Sequence, residues 1–164
     1  MASGTSLGEV RPEHDAAGTP TDLVQLYYVR GFADPVVELW ELLTEPAGVA
    51  KWFGTVAGDP LDGHVSITTS DDPARVLDIT VDACTSPHVL DLTIADAVLE
   101  LRLHQVGVVT TLEVVRRHLQ RDEVAQVGPY WQFYLDRFTA AVDGRELPQW
   151  ADYTDLASEY PCPG

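Results

Sequence analysis

Two aromatic, amphipathic segments, residues 34–54 and 128–144, bracket a long stretch of alternating apolar and polar residues broken only by short turns. Few folds accommodate that pattern. Strands joined by short connections run antiparallel, since a parallel pair needs a long crossover, and an antiparallel sheet typically buries one face. Helices placed before and after such a sheet close over that face and enclose a core or a pocket.

The run Leu23, Val24, Gln25, Leu26, Tyr27, Tyr28, Val29 suits a pleated sheet and predicts the first strand. Asp34 followed by Pro35 marks a helix start, with the aspartate as cap, and Val36, Val37, Trp40 and Leu43 define its apolar face. Pro46 opens a short second helix through Trp52 and Phe53, closed by Gly54. Five further strands are expected at 64–70, 75–84, 89–96, 97–106 and 108–119. Their alternation turns Leu77, Ile79, Val81, Leu90, Leu92, Ile94, Leu99, Leu101, Leu103, Leu112 and Val114 toward the core. The last helix opens after Asp122 or restarts at Gly128 and Pro129. It carries a seam of Trp131, Leu135, Phe138 and Val142, and ends at Gly144.

With 164 residues the chain holds one domain, expected at residues 22–148. Residues 1–21 have the composition of a flexible tail, and residues 149–164 form a second tail that Trp150, Tyr153, Leu156 and Tyr160 pack partly on the body. The 26 acidic against 10 basic side chains give a net charge of -16, which repels nucleic acid and anionic lipid surfaces. Two cysteines, Cys84 and Cys162, form no disulfide framework and fit a reducing compartment. No segment has the run of about 20 apolar residues that a membrane span needs, and the first residues lack a signal-peptide core. The expectation is a cytoplasmic protein without membrane insertion.

The segment FADPVVELWELLTEPAGVAKWFG, five strands and a closing helix that begins GPYWQFYLDRF together resemble the START-like, helix-grip superfamily. Within it the chain resembles the bacterial homologues of the activator of the heat-shock-protein ATPase. Their run of Val-Trp, Leu-Thr and Pro followed by Trp-Phe-Gly is matched by Leu39, Trp40, Leu43, Thr44, Pro46, Trp52, Phe53 and Gly54, with Leu39 replacing the valine. The similarity continues at Thr110, Leu112, Val114 and Arg116, where Arg116 takes a place that is often histidine, and at Gly128, Trp131, Leu135 and Phe138. It implies an α+β helix-grip fold: a curved antiparallel sheet of about six to seven strands wrapped around a long C-terminal helix. Hydrophobic-ligand carriers, polyketide cyclases and stress-response modules all share this fold.

In that architecture Trp40, Trp52, Phe53, Ile79, Leu92, Leu101, Leu112, Trp131, Tyr134 and Phe138 are candidate pocket walls, each of which serves equally as plain core. Arg116 and His118 share the parity of Leu112 and Val114, and His64 opens a strand alternation, so these three are candidate polar anchors; Arg116 and His118 equally fit a place beyond the buried part of the strand, solvated or paired with an aspartate or glutamate. The five histidines show no metal-ligand spacing, no cysteine or serine has a visible base, and no cofactor is expected. The leading reading is a non-enzymatic protein that binds or senses a small apolar molecule. The alternatives are a cyclase or dehydratase with His118 or His64 as base and Arg116 stabilising an enolate, and a module that binds a protein partner or a second copy.

Overall fold

A computed structural model describes residues 8–58, 62–70, 74–95 and 97–153. Its first element is strand β1 (Glu9–His14), paired antiparallel with β2 (Pro20–Phe32) from Glu9–Tyr27 to His14–Pro20. The turn between them is held by the Asp15 carboxylate, which accepts from the backbone N–H groups of Ala17 and Thr19 at 2.9 Å each. The expected flexible tail is therefore sheet over residues 9–14. The cause is non-local: this segment is fixed by β2 and by ion pairs of Glu13 with β8, which local composition does not reveal.

After β2 come α1 (Val36–Thr44), α2 (Pro46–Val49), β3 (Gly54–Ala57), β4 (His64–Thr69), β5 (Val76–Thr85), β6 (Val89–Ile94), β7 (Ala97–Val106) and β8 (Val109–Gln120). A 3-10 turn, Arg121–Glu123, leads into the long α3 (Val124–Asp143). All eight strands form one antiparallel sheet in the order β1-β2-β8-β7-β6-β5-β4-β3. The two strands beyond the expected number are β1 and β3. Strand β3 is four residues long, too short to show alternation. It pairs with β4 because Gly54 permits close approach: a Cβ there would stand 2.2 Å from the carbonyl oxygen of Thr68.

Helix α1 begins one residue later than its sequence signature. Pro35 is the cap, the backbone oxygen of Asp34 accepts from Thr110 Oγ1 at 2.6 Å, and the Val36 N–H finds Gln105 Oε1 at 2.9 Å. Its buried residues are Leu39, Trp40 and Leu43, whereas Val37 is 54% exposed, so the helix is rotated from the expected face. α3 runs unbroken through Pro129. The Tyr28 hydroxyl donates to the Gly128 carbonyl at 2.8 Å and pins the helix to β2 beside the proline, and Gly144 closes it in the left-handed conformation.

The residues from Trp131 to Phe138 are buried without interruption, which a single apolar seam does not explain. The second cover is the turn Trp150–Tyr153. Phe133 meets Trp150 and Tyr153 at 5.5 and 5.2 Å between ring centroids, and the Tyr153 hydroxyl donates to Asp136 Oδ2 at 2.6 Å. Arg137 adds three bonds, to the carbonyls of Trp52 and Pro148 and to Ser70 Oγ. Trp150 and Tyr153 thus pack on α3, and Leu156 and Tyr160 lie outside the described residues.

Candidate ligand-binding site

Strand alternation sends Ile79, Leu90, Ile94, Leu99, Leu101, Leu103, Leu112 and Val114 into the core, as expected. The strand registers align these positions into rows across the sheet. One row runs Val81, Leu92, Leu99, Arg116, Leu26 through consecutive pairings of β5, β6, β7, β8 and β2. It is apolar except for one guanidinium. Two strand spacings, about 10 Å, separate Arg116 from Leu92.

Arg116 is half-buried. Its Nη1 donates to the carbonyl of Arg117, and its Nε is buried with no hydrogen-bond partner. Burial pushes this guanidinium below its ordinary value, while the carboxylates of Glu123 and Glu13 favour the charge. An arginine does not lose its proton in such a setting, so Nε is a donor in want of an oxygen.

At the other end of the row the cover is thinner. Leu77, Val81 and Leu92 lie in the core register yet are only half-buried, while their neighbours Ile79, Leu90 and Ile94 are buried. Water therefore reaches the apolar face of β5 and β6. Just ahead of β5 the Arg75 guanidinium stacks 4.4 Å from the centroid of the Tyr130 ring and donates to the Tyr134 hydroxyl at 3.2 Å, tying that edge to α3.

The aromatic candidates divide by position. Trp52 stacks on Phe53 at 5.1 Å and meets Phe138 edge-on at 5.2 Å, Phe53 meets Tyr134 at 4.8 Å, and Phe32 meets Phe138 at 5.6 Å. Trp52 Nε1 also donates to the Leu42 carbonyl at 2.7 Å. Interlocked rings with their polar atoms satisfied make the α1–α2 end of the grip closed core. Trp40 and Leu112 are buried with them. Trp131, Ile79 and Leu101 are buried as well, and Leu92 is the one apolar candidate that is only half-buried.

Two expected anchors do not face inward. His64 is exposed, because Val65, Ile67 and Thr69 are the buried positions of β4. His118 sits at φ 60° in a bulge where the β2–β8 register shifts, and its side chain is 53% exposed on the outer face. The extra residue flips everything beyond Arg116 by one position, so Leu119 becomes the next buried side chain. A histidine base inside the grip is thereby removed.

Sequence reasoning did not single out the polar cluster on α3. Asp136 is buried, faces Arg30 of β2 across 3.8 Å, and accepts from Tyr153. The even parity of Arg30 with Tyr28 and Phe32 was the signal that could have found it. Among the described residues no cluster of three or more His, Cys, Asp or Glu side chains could hold a metal ion, and no helix is long and apolar enough to cross a membrane.

A curved antiparallel sheet gripping one long helix defines the helix-grip class of α+β proteins, the class that includes ligand-binding and polyketide-cyclase-like folds. The chain belongs to the family of Activator of Hsp90 ATPase homolog 1-like proteins, which it matches over residues 34–143. Among solved structures it is similar to CalU16 from Micromonospora echinospora, with a TM-score of 0.72 and 21% identity over 96% of this chain and 95% of that one. DynU16, a protein in the dynemicin biosynthetic locus, superposes with a TM-score of 0.64 at 24% identity, over 77% of this chain and 49% of that one. MLL2253 from Mesorhizobium loti gives 0.62 and 22%, over 75% and 99%. No curated protein matches the sequence.

Proposed function

We propose that this protein binds a small, largely apolar molecule bearing an oxygen acceptor, held between the sheet and α3. One observation carries the reading: a single unsatisfied guanidinium nitrogen, Arg116 Nε, in an otherwise apolar row whose far end at Leu92 is open to water. Burying the ligand's apolar surface supplies affinity at about 25 cal/mol per Å². A hydrogen bond from Arg116 fixes its orientation and contributes about 1.5–3 kcal/mol. The helix-grip fold and the biosynthetic setting of DynU16 support a small organic ligand. Exposure of both His64 and His118 favours binding over proton-transfer catalysis, and an exposed free Cys84 is consistent with a reducing cytoplasm.

The test is native mass spectrometry followed by denaturing extraction, joined to titration with the neutral fluorescent probe phenylnaphthylamine. An extracted apolar species gives the ligand's chemistry. Leu92→Trp, which fills the opening, and Trp131→Ala, which removes the largest apolar side chain of the α3 seam, should each weaken the probe at least several-fold. If both variants fold and bind it unchanged, the reading is wrong.

A further inference from the structure

Apart from the grip, the structure carries a trough of about 490 Å³ between the outer side of α1 and α2 and the last turns of α3. Its floor is apolar: Leu39, Leu42, Ala141 and Val142. Its rim holds four carboxylates, Asp34, Glu38, Glu41 and Glu45, and the chain's one lysine, Lys51. The trough exists because α2 folds tightly on α1. A Cβ at Gly48 would stand 2.4 Å from the Glu41 carbonyl oxygen, so the two helices meet backbone to backbone and no side chain covers the corner.

Elsewhere on the surface some carboxylates are paired with arginines. Arg11 pairs with Glu9, Arg102 with Asp91, Arg117 with Glu13 and Glu100, and Arg145 with Asp143. Among the described residues none of the four rim carboxylates has an ion-pair or side-chain hydrogen-bond partner. The C-terminal end of α3 adds the negative pole of its dipole at Ala141 and Val142.

The geometry points to a docking site for a basic amphipathic segment of a protein partner, its apolar stripe on the floor and its lysines or arginines on the rim. An open trough covers only one side of its occupant, which suits a segment tethered to its own protein better than a free small molecule that needs near-complete burial. A net charge of -16 disfavours a second copy of this chain, nucleic acid and an anionic membrane as occupants. This inference is independent of the ligand proposed for the grip.

The probe is a synthetic amphipathic Leu/Lys peptide of about 14 residues, roughly four helical turns. Amide NMR spectra should shift at Leu39, Leu42, Gly48, Lys51, Ala141 and Val142. The variant E38Q/E41Q/E45Q should lose roughly tenfold in affinity, the product of three modest charge contacts, while the charge-matched D22N/D62N/D78N variant keeps most of it. Equal losses in the two variants, or shifts spread over the outer face of the sheet, reveal general attraction to an acidic chain and overturn the proposal. Displacement of the peptide by a simple alkylamine with the same shifts overturns the choice of a protein segment.

Discussion

His118 and Glu13 meet on the outer face of the sheet, ring Nδ1 to carboxylate Oε1 at 2.7 Å, although Arg116 two residues earlier lies on the opposite face. The bulge is the reason, and Glu13 is what holds it. Its Oε2 accepts from the backbone N–H of His118 at 2.7 Å and from Arg117 Nε at 3.1 Å, so one buried carboxylate satisfies the displaced backbone and ties edge strand β1 to β8. The same slip leaves Arg116 as the last inward residue before the register changes.

Glu13 should make stability pH-dependent. Burial, the largest single influence, pushes its carboxyl up, but the His118 N–H, the Arg117 guanidinium and the His118 ring together hold it below the usual carboxylate range. A folded value below the unfolded one contributes stability that is fully present above the unfolded pKa of about 4 and is lost as pH falls through the folded value. Glu13→Gln should cost about 1–3 kcal/mol at neutral pH and flatten the acid limb of a Tm-versus-pH profile. An acid limb identical to that of the wild type would show that the contribution lies elsewhere.

Tyr153 should behave as part of the domain. Its hydroxyl reaches buried Asp136, and its ring packs on Phe133, so Tyr153→Phe should cost about 1–2 kcal/mol in urea denaturation with an unchanged m-value, and Tyr153→Ala about 3–5 kcal/mol. A neutral result in both would mean that the turn Trp150–Tyr153 does not cover α3 in solution.

Much of the architecture was legible because it is written in local periodicity. β7 has the bounds read from alternation, the inward register of β5 through β8 holds as far as Val114, and Gly144 caps α3 as its residue type demands. What was not legible depends on distant partners. β1 exists because β2 lies beside it and Glu13 reaches across to β8, the acceptor for the first N–H of α1 comes from Gln105 on β7, and the bulge at His118 is held by Glu13 more than a hundred residues away. Alternation has no means of signalling an inserted residue, which is why parity alone puts His118 on the same face as Arg116; the slip turns His118 outward to Glu13, the acid-paired place of its other reading. Aromatic spacing likewise could not separate Trp52 and Phe138, which interlock, from a pocket wall.

The glycine of the Trp-Phe-Gly run has a backbone reason. Gly54→Ala places a Cβ 2.2 Å from the Thr68 carbonyl oxygen, and because that atom is backbone the strand pair must part. Overpacking of this kind should cost about 1–3 kcal/mol and loosen the β3–β4 pairing, seen as faster amide hydrogen exchange at Val56 and Ile67. Unchanged exchange would mean that β3 relaxes without loss.

Arg116→Leu separates stability from recognition. Replacing a half-buried charge, whose Nε has no partner, by a shorter apolar side chain of comparable volume should leave Tm unchanged or raise it. The ligand side moves the other way. Anilinonaphthalene sulfonate carries an anion on an apolar body, and the variant should bind it at least about tenfold more weakly, the loss of one charge-assisted hydrogen bond of about 1.5–3 kcal/mol. Neutral phenylnaphthylamine, which makes no demand on the guanidinium, should bind as before. If both probes weaken together, Arg116 shapes the grip rather than reading the ligand; if neither does, the oxygen of the bound molecule lies elsewhere and the row from Val81 to Leu26 is core.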